Sequence, residues 1–440
     1  MKTPIFDFIK RYGETNSVRL HMPGHKGKGP LGVENLDITE IDGADVLYEP
    51  HGIIAESEDG ATALFGTGHT YYSTEGSSLA IKAMLAIACK EGSTVFAARN
   101  AHKSFLYAAA LLDLSVNWLY PDKDAHICIS HISPLQLEEA LACAKTLPAA
   151  VYITSPDYLG NIADIASLST VCRRYGVPLL VDNAHGAYLA FLSPSAHPIA
   201  LGATMACDSA HKTLPTLTGG SYLHIAANAP RCYFDRARKM LSVFSSSSPS
   251  YLILASLDST NAYLDREMRK RLSFTVDQTN CLKKKLCALG LPICESEPLK
   301  LTLYAPRYGY FGYEIAKHLQ GLNIVAEFYD TEYVVLMISV QTSKEDLSRL
   351  EAALLSLPKR PEKIVESPPF LPSVQKTGIR HALFATSRRV SLDDAAGRIC
   401  ASPALSCPPC VPMAVCGDLI TQDTINALRH YGITHIDVIE

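Results

Sequence analysis

The sequence lacks any excess of basic charge: 40 Lys and Arg stand against 44 Asp and Glu, for a formal net charge of -4. That balance argues against nucleic acid or an anionic membrane surface as partner and favours a small molecule. A long hydrophobic run is also missing. The most apolar stretch, Leu79 to Cys89, is interrupted by Lys82 and stops at Lys90, short of the roughly 18 to 20 residues a membrane helix needs. Nor is a signal peptide expected, because Asp7, Lys10 and Arg11 break the N-terminus before an apolar segment can develop. The 13 cysteines are odd in number and scattered, unlike the dense, even frameworks of small secreted domains, so reduced thiols and a cytoplasmic location are expected. No internal repeat is present.

What is there, at 440 residues and 48% hydrophobic content, is enough chain for two or three domains with a large core. Residues 1 to 60 read as an extended N-terminal arm with short helices. From 61 to 275, apolar runs alternate with helical patterns: Thr94–Ala97, Ala150–Thr154, Pro178–Asp182, Ala203–Ala206 and Ser221–Ile225. Continuous rather than alternating apolar strands predict an α/β domain whose mostly parallel sheet is covered on both faces. A smaller α/β domain is expected over 276 to 358, with strands at Lys300–Leu303 and Tyr333–Ile338. Pro361, Pro368, Pro369 and Pro372 then mark a boundary, and 375 to 440 forms a third unit.

Two motifs carry chemistry. Val181-Asp182-Asn183-Ala184-His185-Gly186 closes one apolar strand, and Asp208-Ser209-Ala210-His211-Lys212-Thr213 follows the next, with Lys212 thirty residues beyond Asp182. The C-terminal ends of strands in an open α/β sheet are where ligands bind. Pyridoxal 5'-phosphate (PLP) needs a lysine for its aldehyde and a carboxylate for its pyridine nitrogen, and Lys212 with Asp182 supplies that pair. A surface lysine and a helix-capping aspartate are the bland alternatives, and the paired spacing disfavours both. Gly76-Ser77-Ser78 opens a helical run and is a candidate phosphate site, which Ser209 and His211 could complete. His102, after another strand in Arg99-Asn100-Ala101-His102-Lys103-Ser104, could stack on the pyridine ring. Metal binding by His21 and His25, or by Cys400, Cys407, Cys410 and Cys416, is disfavoured. His21 and His25 flank Pro and Gly and so do not share a helical face, and a closed site needs four well-placed ligands. Cys407-Pro408-Pro409-Cys410 has redox spacing without the strand-to-helix setting of a thioredoxin-like motif.

These motifs, together with His21-Met22-Pro23-Gly24-His25-Lys26-Gly27, Asp37-Ile38-Thr39-Glu40, Thr154-Ser155-Pro156-Asp157-Tyr158-Leu159-Gly160, Ser248-Pro249-Ser250-Tyr251 and Ala395-Ala396-Gly397-Arg398-Ile399, resemble the bacterial Orn/Lys/Arg decarboxylases over nearly the whole chain. The resemblance implies an aspartate-aminotransferase-like fold (PLP fold type I) with a seven-stranded sheet. It further implies α-decarboxylation of arginine, lysine or ornithine to the corresponding amine, as in polyamine biosynthesis, by a homodimer with active sites at the interface. Lys212 then looks like the Schiff-base lysine, Asp182 the partner of the ring nitrogen and His102 the stacking ring. Gly76, Ser77, Ser78, Ser209 and His211 look like phosphate ligands, with Ser247 or Ser248 reaching the partner's phosphate, and His185 would lie near the substrate. The chain resembles the short form, without the N-terminal wing domain of the large members. It departs at Glu75, Cys410 and Asp418, where Asn, Gly and Glu are usual. An aminotransferase or C–S lyase of the same fold would share the Lys212 and Asp182 pair. Such relatives keep a carboxylate-clamping arginine, and Arg307 is the only arginine between Arg271 and Arg349. A non-catalytic PLP-fold protein is a further alternative.

Overall fold

The computed structural model describes residues 1–121, 132–366, 372–405 and 411–440. Their contacts divide them into two units. The first comprises Met1–Lys90, Ala149–Val151 and Ile165–Lys270; the second comprises Glu91–Pro148, Tyr152–Asp164 and Arg271–Glu440. No helix among the described residues is long and apolar enough to cross a membrane.

The expected strands form. β1 (His69–Ser73), β2 (Thr94–Ala98), β3 (Ser115–Leu119), β4 (Ala150–Thr154), β5 (Leu179–Asp182), β6 (Met205–Asp208) and β7 (Ser221–Ile225) make one sheet in the order β1-β7-β6-β5-β4-β2-β3. β5 pairs with β6 and β2 with β3 in parallel, while β7 runs antiparallel to both β6 and β1. Every residue of β5, β6 and β7 is buried, which is why these segments read as unbroken apolar runs instead of alternating ones. β6 starts at Met205, two residues later than the sequence suggests. The Ala203 N–H is already committed to Pro198 O, closing the preceding turn, and cannot join the ladder. β1 and β3 escape the sequence reading because β1 carries His69, Thr70 and Ser73, and β3 is half exposed and carries Ser115 and Asn117.

Within the first unit, the helix Gly76–Ala88 is buried along most of its length. Its last carbonyls, Ala86 O and Ile87 O, accept from the Arg236 guanidinium at 2.7 and 3.0 Å, so a distant side chain meets needs that the helix cannot satisfy itself. The helix Pro4–Glu14 is anchored in a similar way. Thr3 makes no side-chain cap, and the Ile5 and Phe6 N–H groups instead donate to Asp258 Oδ2 at 3.0 Å each, while Ile5 and Ile9 are buried.

In the second unit, β8 (Lys300–Tyr304), β9 (Phe328–Tyr329) and β10 (Tyr333–Met337) form an antiparallel sheet in the order β8-β10-β9. Phe328, Tyr333 and Val335 share a core with Leu392, Val411, Ile425, Leu428, Ile436 and Val438, so the residues beyond the proline-rich stretch pack on this sheet. Ser387–Ser391 and His435–Ile439 pair antiparallel at the far C-terminus.

Asp258 yields a pH-dependent expectation. Burial pushes its carboxyl up to about 6, against the lowering effect of its bonds from Ser57, Phe6 and Ile5. Between about pH 4 and 6 the folded state therefore keeps a proton that the unfolded chain has released, and stability falls as pH rises through that window. The stability difference between the native protein and Asp258→Asn should shift against the native protein by up to about 3 kcal/mol over the window. Urea unfolding of both proteins at the two ends of the range checks it; parallel pH profiles would remove the effect.

Candidate active site

The first unit brings most of the sequence-predicted residues together. Asp182 ends β5 and is buried; its Oδ1 accepts from the Ala184 N–H at 3.1 Å and faces the Cys207 thiol at 3.7 Å. Burial and the neighbouring carboxylates of Asp182 and Asp208 push the Cys207 thiol far up, so it stays protonated and donates to Asp182. The chain then turns through Asn183 and Gly186. Gly186 has no room for a side chain: a Cβ there would lie 2.0 Å from Asn183 Oδ1.

Lys212 sits on the single helical turn Ala210–Thr213 after β6, and its Nζ lies 3.0 Å from His185 Nε2. The two motifs, separated along the chain, thus meet side chain to side chain. Gly76, Ser77 and Ser78 form the first turn of the 13-residue helix Gly76–Ala88. Gly76 holds φ +71°, a left-handed conformation that favours glycine, and its N–H donates to Gly219 O at 2.8 Å. Ser209 Oγ donates to Ser77 Oγ at 2.8 Å, and His211 Nδ1 lies 3.0 Å from Gly220 O. Two buried hydroxyls in the same loops, Thr213 Oγ1 and Ser221 Oγ, have no hydrogen-bond partner among the described residues. Helix start, hydroxyls and glycine turn together make a cradle suited to an anion.

The remaining candidates have local partners of their own or are exposed. His102 belongs to the second unit, where it caps the helix Lys103–Leu111: its Nδ1 accepts from the Ser104 N–H at 3.3 Å and lies 2.9 Å from Ser104 Oγ. Ser247 and Ser248 are exposed. Glu75 precedes the helix Gly76–Ala88, and its Oε1 accepts from the Ser246 N–H at 2.6 Å. His21 and His25 have separate partners, Tyr12 OH at 2.6 Å and Asp37 Oδ2 at 3.2 Å. Burial pushes the thiols of Cys400 and Cys416 up, the latter to about 12. Cys407 and Cys410 lie outside the described residues.

Two arrangements were not legible in the sequence. The first is a fully buried cluster of His197, Asp208 and His224, the one group among the described residues with metal-ligand proximity. Asp208 could have been suspected as a charged residue ending an apolar strand, whereas nothing around His197 signals it. The second gives Asp418 a partner. Within the second unit its Oδ2 accepts from Arg99 Nη2 at 2.6 Å and from the Val415 N–H at 3.0 Å, with both charged side chains at most 1% exposed. Arg99 also donates from Nε to Pro412 O at 3.3 Å and lies 4.8 Å from the Trp118 ring centroid.

The sheet order, the glycine and serine turn at a helix start, and a lysine and a carboxylate at neighbouring strand ends define the architecture of the fold-type I PLP-dependent enzymes. Solved lysine decarboxylases share the fold: one from Francisella novicida superposes with TM-score 0.85 at 17% identity over 100% of this chain and 81% of that one. One from Pseudomonas aeruginosa gives TM-score 0.85 at 18% over 99% and 80%. The family model for the major domain of Orn/Lys/Arg decarboxylases matches residues 3–295, and the chain belongs to that family. Its similar relatives include an uncharacterized Bacillus subtilis protein, YaaO, 31% identical over 97% of this chain and 94% of the relative. An arginine decarboxylase of the same organism is 30% identical over 97% and 92%.

Removing one partner of a buried ion pair leaves an uncompensated charge, at a cost of about 3 to 5 kcal/mol. Asp418→Asn should therefore lower stability by that order, read from denaturant midpoints. An unfolding free energy within about 0.5 kcal/mol of the native protein's would mean that the pair contributes nothing net.

Proposed function

We propose that the protein is a PLP-dependent decarboxylase of a basic amino acid, releasing carbon dioxide and the corresponding amine. The observation that carries this reading is the 3.0 Å approach of Lys212 Nζ to His185 Nε2, one loop from the buried Asp182 carboxylate. The donor set fits the cofactor. Lys212 offers an amine to the aldehyde, and Asp182 a carboxylate to the ring nitrogen. Gly76, Ser77, Ser78, Ser209 and His211 offer the phosphate a helix start with hydroxyls, and two buried hydroxyls nearby await a polar partner. His102 keeps the ring-stacking role implied by the family resemblance.

Bound there, PLP supplies an electron sink for the pair released when the Cα–carboxylate bond breaks. The chain's own residues do the rest. Asp182, buried and fixed by the Ala184 N–H, stabilises a proton on the ring nitrogen. Lys212 and His185 share a hydrogen bond across which a proton can pass, so either side chain can hold the proton that Cα gains once carbon dioxide has left. The cradle around Gly76 fixes the phosphate end and thereby the orientation of everything attached to it.

Among arginine, lysine and ornithine, arginine is the first to test, because the curated relatives that match along almost the whole chain include arginine decarboxylases. The arm exposes Val18, Leu20 and Leu31, each at least 80% accessible. That apolar string fits burial in a homodimer, and a cytoplasmic location fits the reduced cysteines.

Adding PLP should produce a visible absorbance band that Lys212→Ala lacks, and the native protein should release carbon dioxide with one of the three amino acids. Lys212→Ala should lower that release by at least about a thousandfold. Near-native turnover in Lys212→Ala would refute the mechanism; a band without carbon dioxide from any of the three would move the function to another PLP reaction. Sedimentation should give twice the chain mass, and a monomer would remove the dimer.

A further inference from the structure

The buried cluster behind the candidate site has ligand-like proximity, yet its hydrogen bonds oppose a metal. Asp208 Oδ2 lies 3.1 Å from His197 Nε2 and 3.2 Å from His224 Nε2, and Asp208 Oδ1 accepts from Asn183 Nδ2 at 2.7 Å. His197 Nδ1 accepts from the Ile199 N–H at 3.3 Å. Its lone pair is therefore used, the ring proton sits on Nε2, and that nitrogen donates to Asp208. A metal would need the Nε2 lone pair, which would turn an Nδ1–H against the Ile199 N–H. His224 Nδ1 lies 2.9 Å from Thr70 Oγ1, a hydroxyl that can donate to it, so His224 can present Nε2–H as well. Phe65 closes over both rings, with centroids 6.1 and 4.7 Å away. Burial lowers the basicity of His224 and keeps it neutral; burial alone would raise the Asp208 carboxyl, and the two imidazoles reverse that and hold it well below the usual carboxylate range.

This carboxylate stands where the two chemical loops join. Through Asn183 it grips the turn that runs from Asp182 to His185, and along the chain it immediately precedes Ser209 and the turn that carries Lys212. The main chain repeats the link, because the Asn183 N–H donates to Cys207 O at 2.9 Å. We propose that Asp208, held as an anion by Asn183, His197 and His224, is a positioning residue that sets Asp182 and Lys212 against each other for the cofactor. It touches neither substrate nor cofactor and acts through Asn183 and Ser209. This inference rests on the PLP reading above.

The tests are Asp208→Asn, which puts an amide where His197 offers only a donor, and Asn183→Ala, which cuts the carboxylate from the Asp182 loop but leaves both imidazoles in place. PLP is titrated into native and variant proteins, following absorbance and the circular dichroism of the bound cofactor, alongside thermal melts and metal analysis. Each variant should bind PLP about tenfold more weakly, the scale of one charge-assisted hydrogen bond. Its cofactor dichroism should weaken, and kcat should fall while KM for the amino acid stays nearly constant. If Asp208→Asn does not fold, Asn183→Ala carries the test. Variants that melt earlier but bind PLP with native affinity and dichroism would overturn the proposal and leave a purely structural cluster. One equivalent of tightly held divalent metal would overturn it too. A native protein that never binds PLP would instead fail the functional reading itself.

Discussion

Burial of β5 and β6 on both faces is the constraint on which the rest depends. Strands with every side chain covered can carry almost nothing polar along their length, so polar chemistry is displaced to the points where the chain leaves the sheet. Asp182 ends β5 and Asp208 ends β6, and because the two strands are adjacent and parallel, both carboxylates emerge on the same edge. The lysine turn and the histidine loop follow directly. Parallel pairing at that point of the sheet thus does more for the site than any single side chain, since it converts two distant sequence motifs into neighbours.

Each of the buried carboxylates is held by two or more donors. Asp208 takes three side-chain donors, Asp258 takes two backbone N–H groups and a hydroxyl, and Asp418 takes a guanidinium and a backbone N–H. Each carboxylate joins chain segments far apart in sequence, which apolar packing alone would leave free to slide. In the second unit, Arg99 and Asp418 tie the end of β2 to the segment after Val411, so that a residue marked as a departure from the family has a specific physical role. Nothing in the structure explains the choice of Asp over Glu there.

Legibility in the sequence follows the range of the interactions. Lys212, Asp182 and the Gly76-Ser77-Ser78 turn could be read because each lies beside an apolar run whose end it marks. His197 could not: it lies on a turn with no periodicity, and its only distinction is what it touches. β1 was hidden by its own polar residues, of which Thr70 meets His224 across the sheet. The onset of β6 is not legible because a turn hydrogen bond, not side-chain character, decides where the ladder begins.

By itself the sequence determined the class of fold and the strand ends that Asp182 and the Lys212 turn occupy, since continuous hydrophobicity and local turn chemistry are properties of neighbouring residues. Only the tertiary structure decided which side chains share a proton or a charge: that Lys212 meets His185, that Asp208 gathers two histidines and an asparagine, and that Arg99 answers Asp418. Such pairings join residues tens to hundreds of positions apart, and their strength depends on burial that no single segment can create alone.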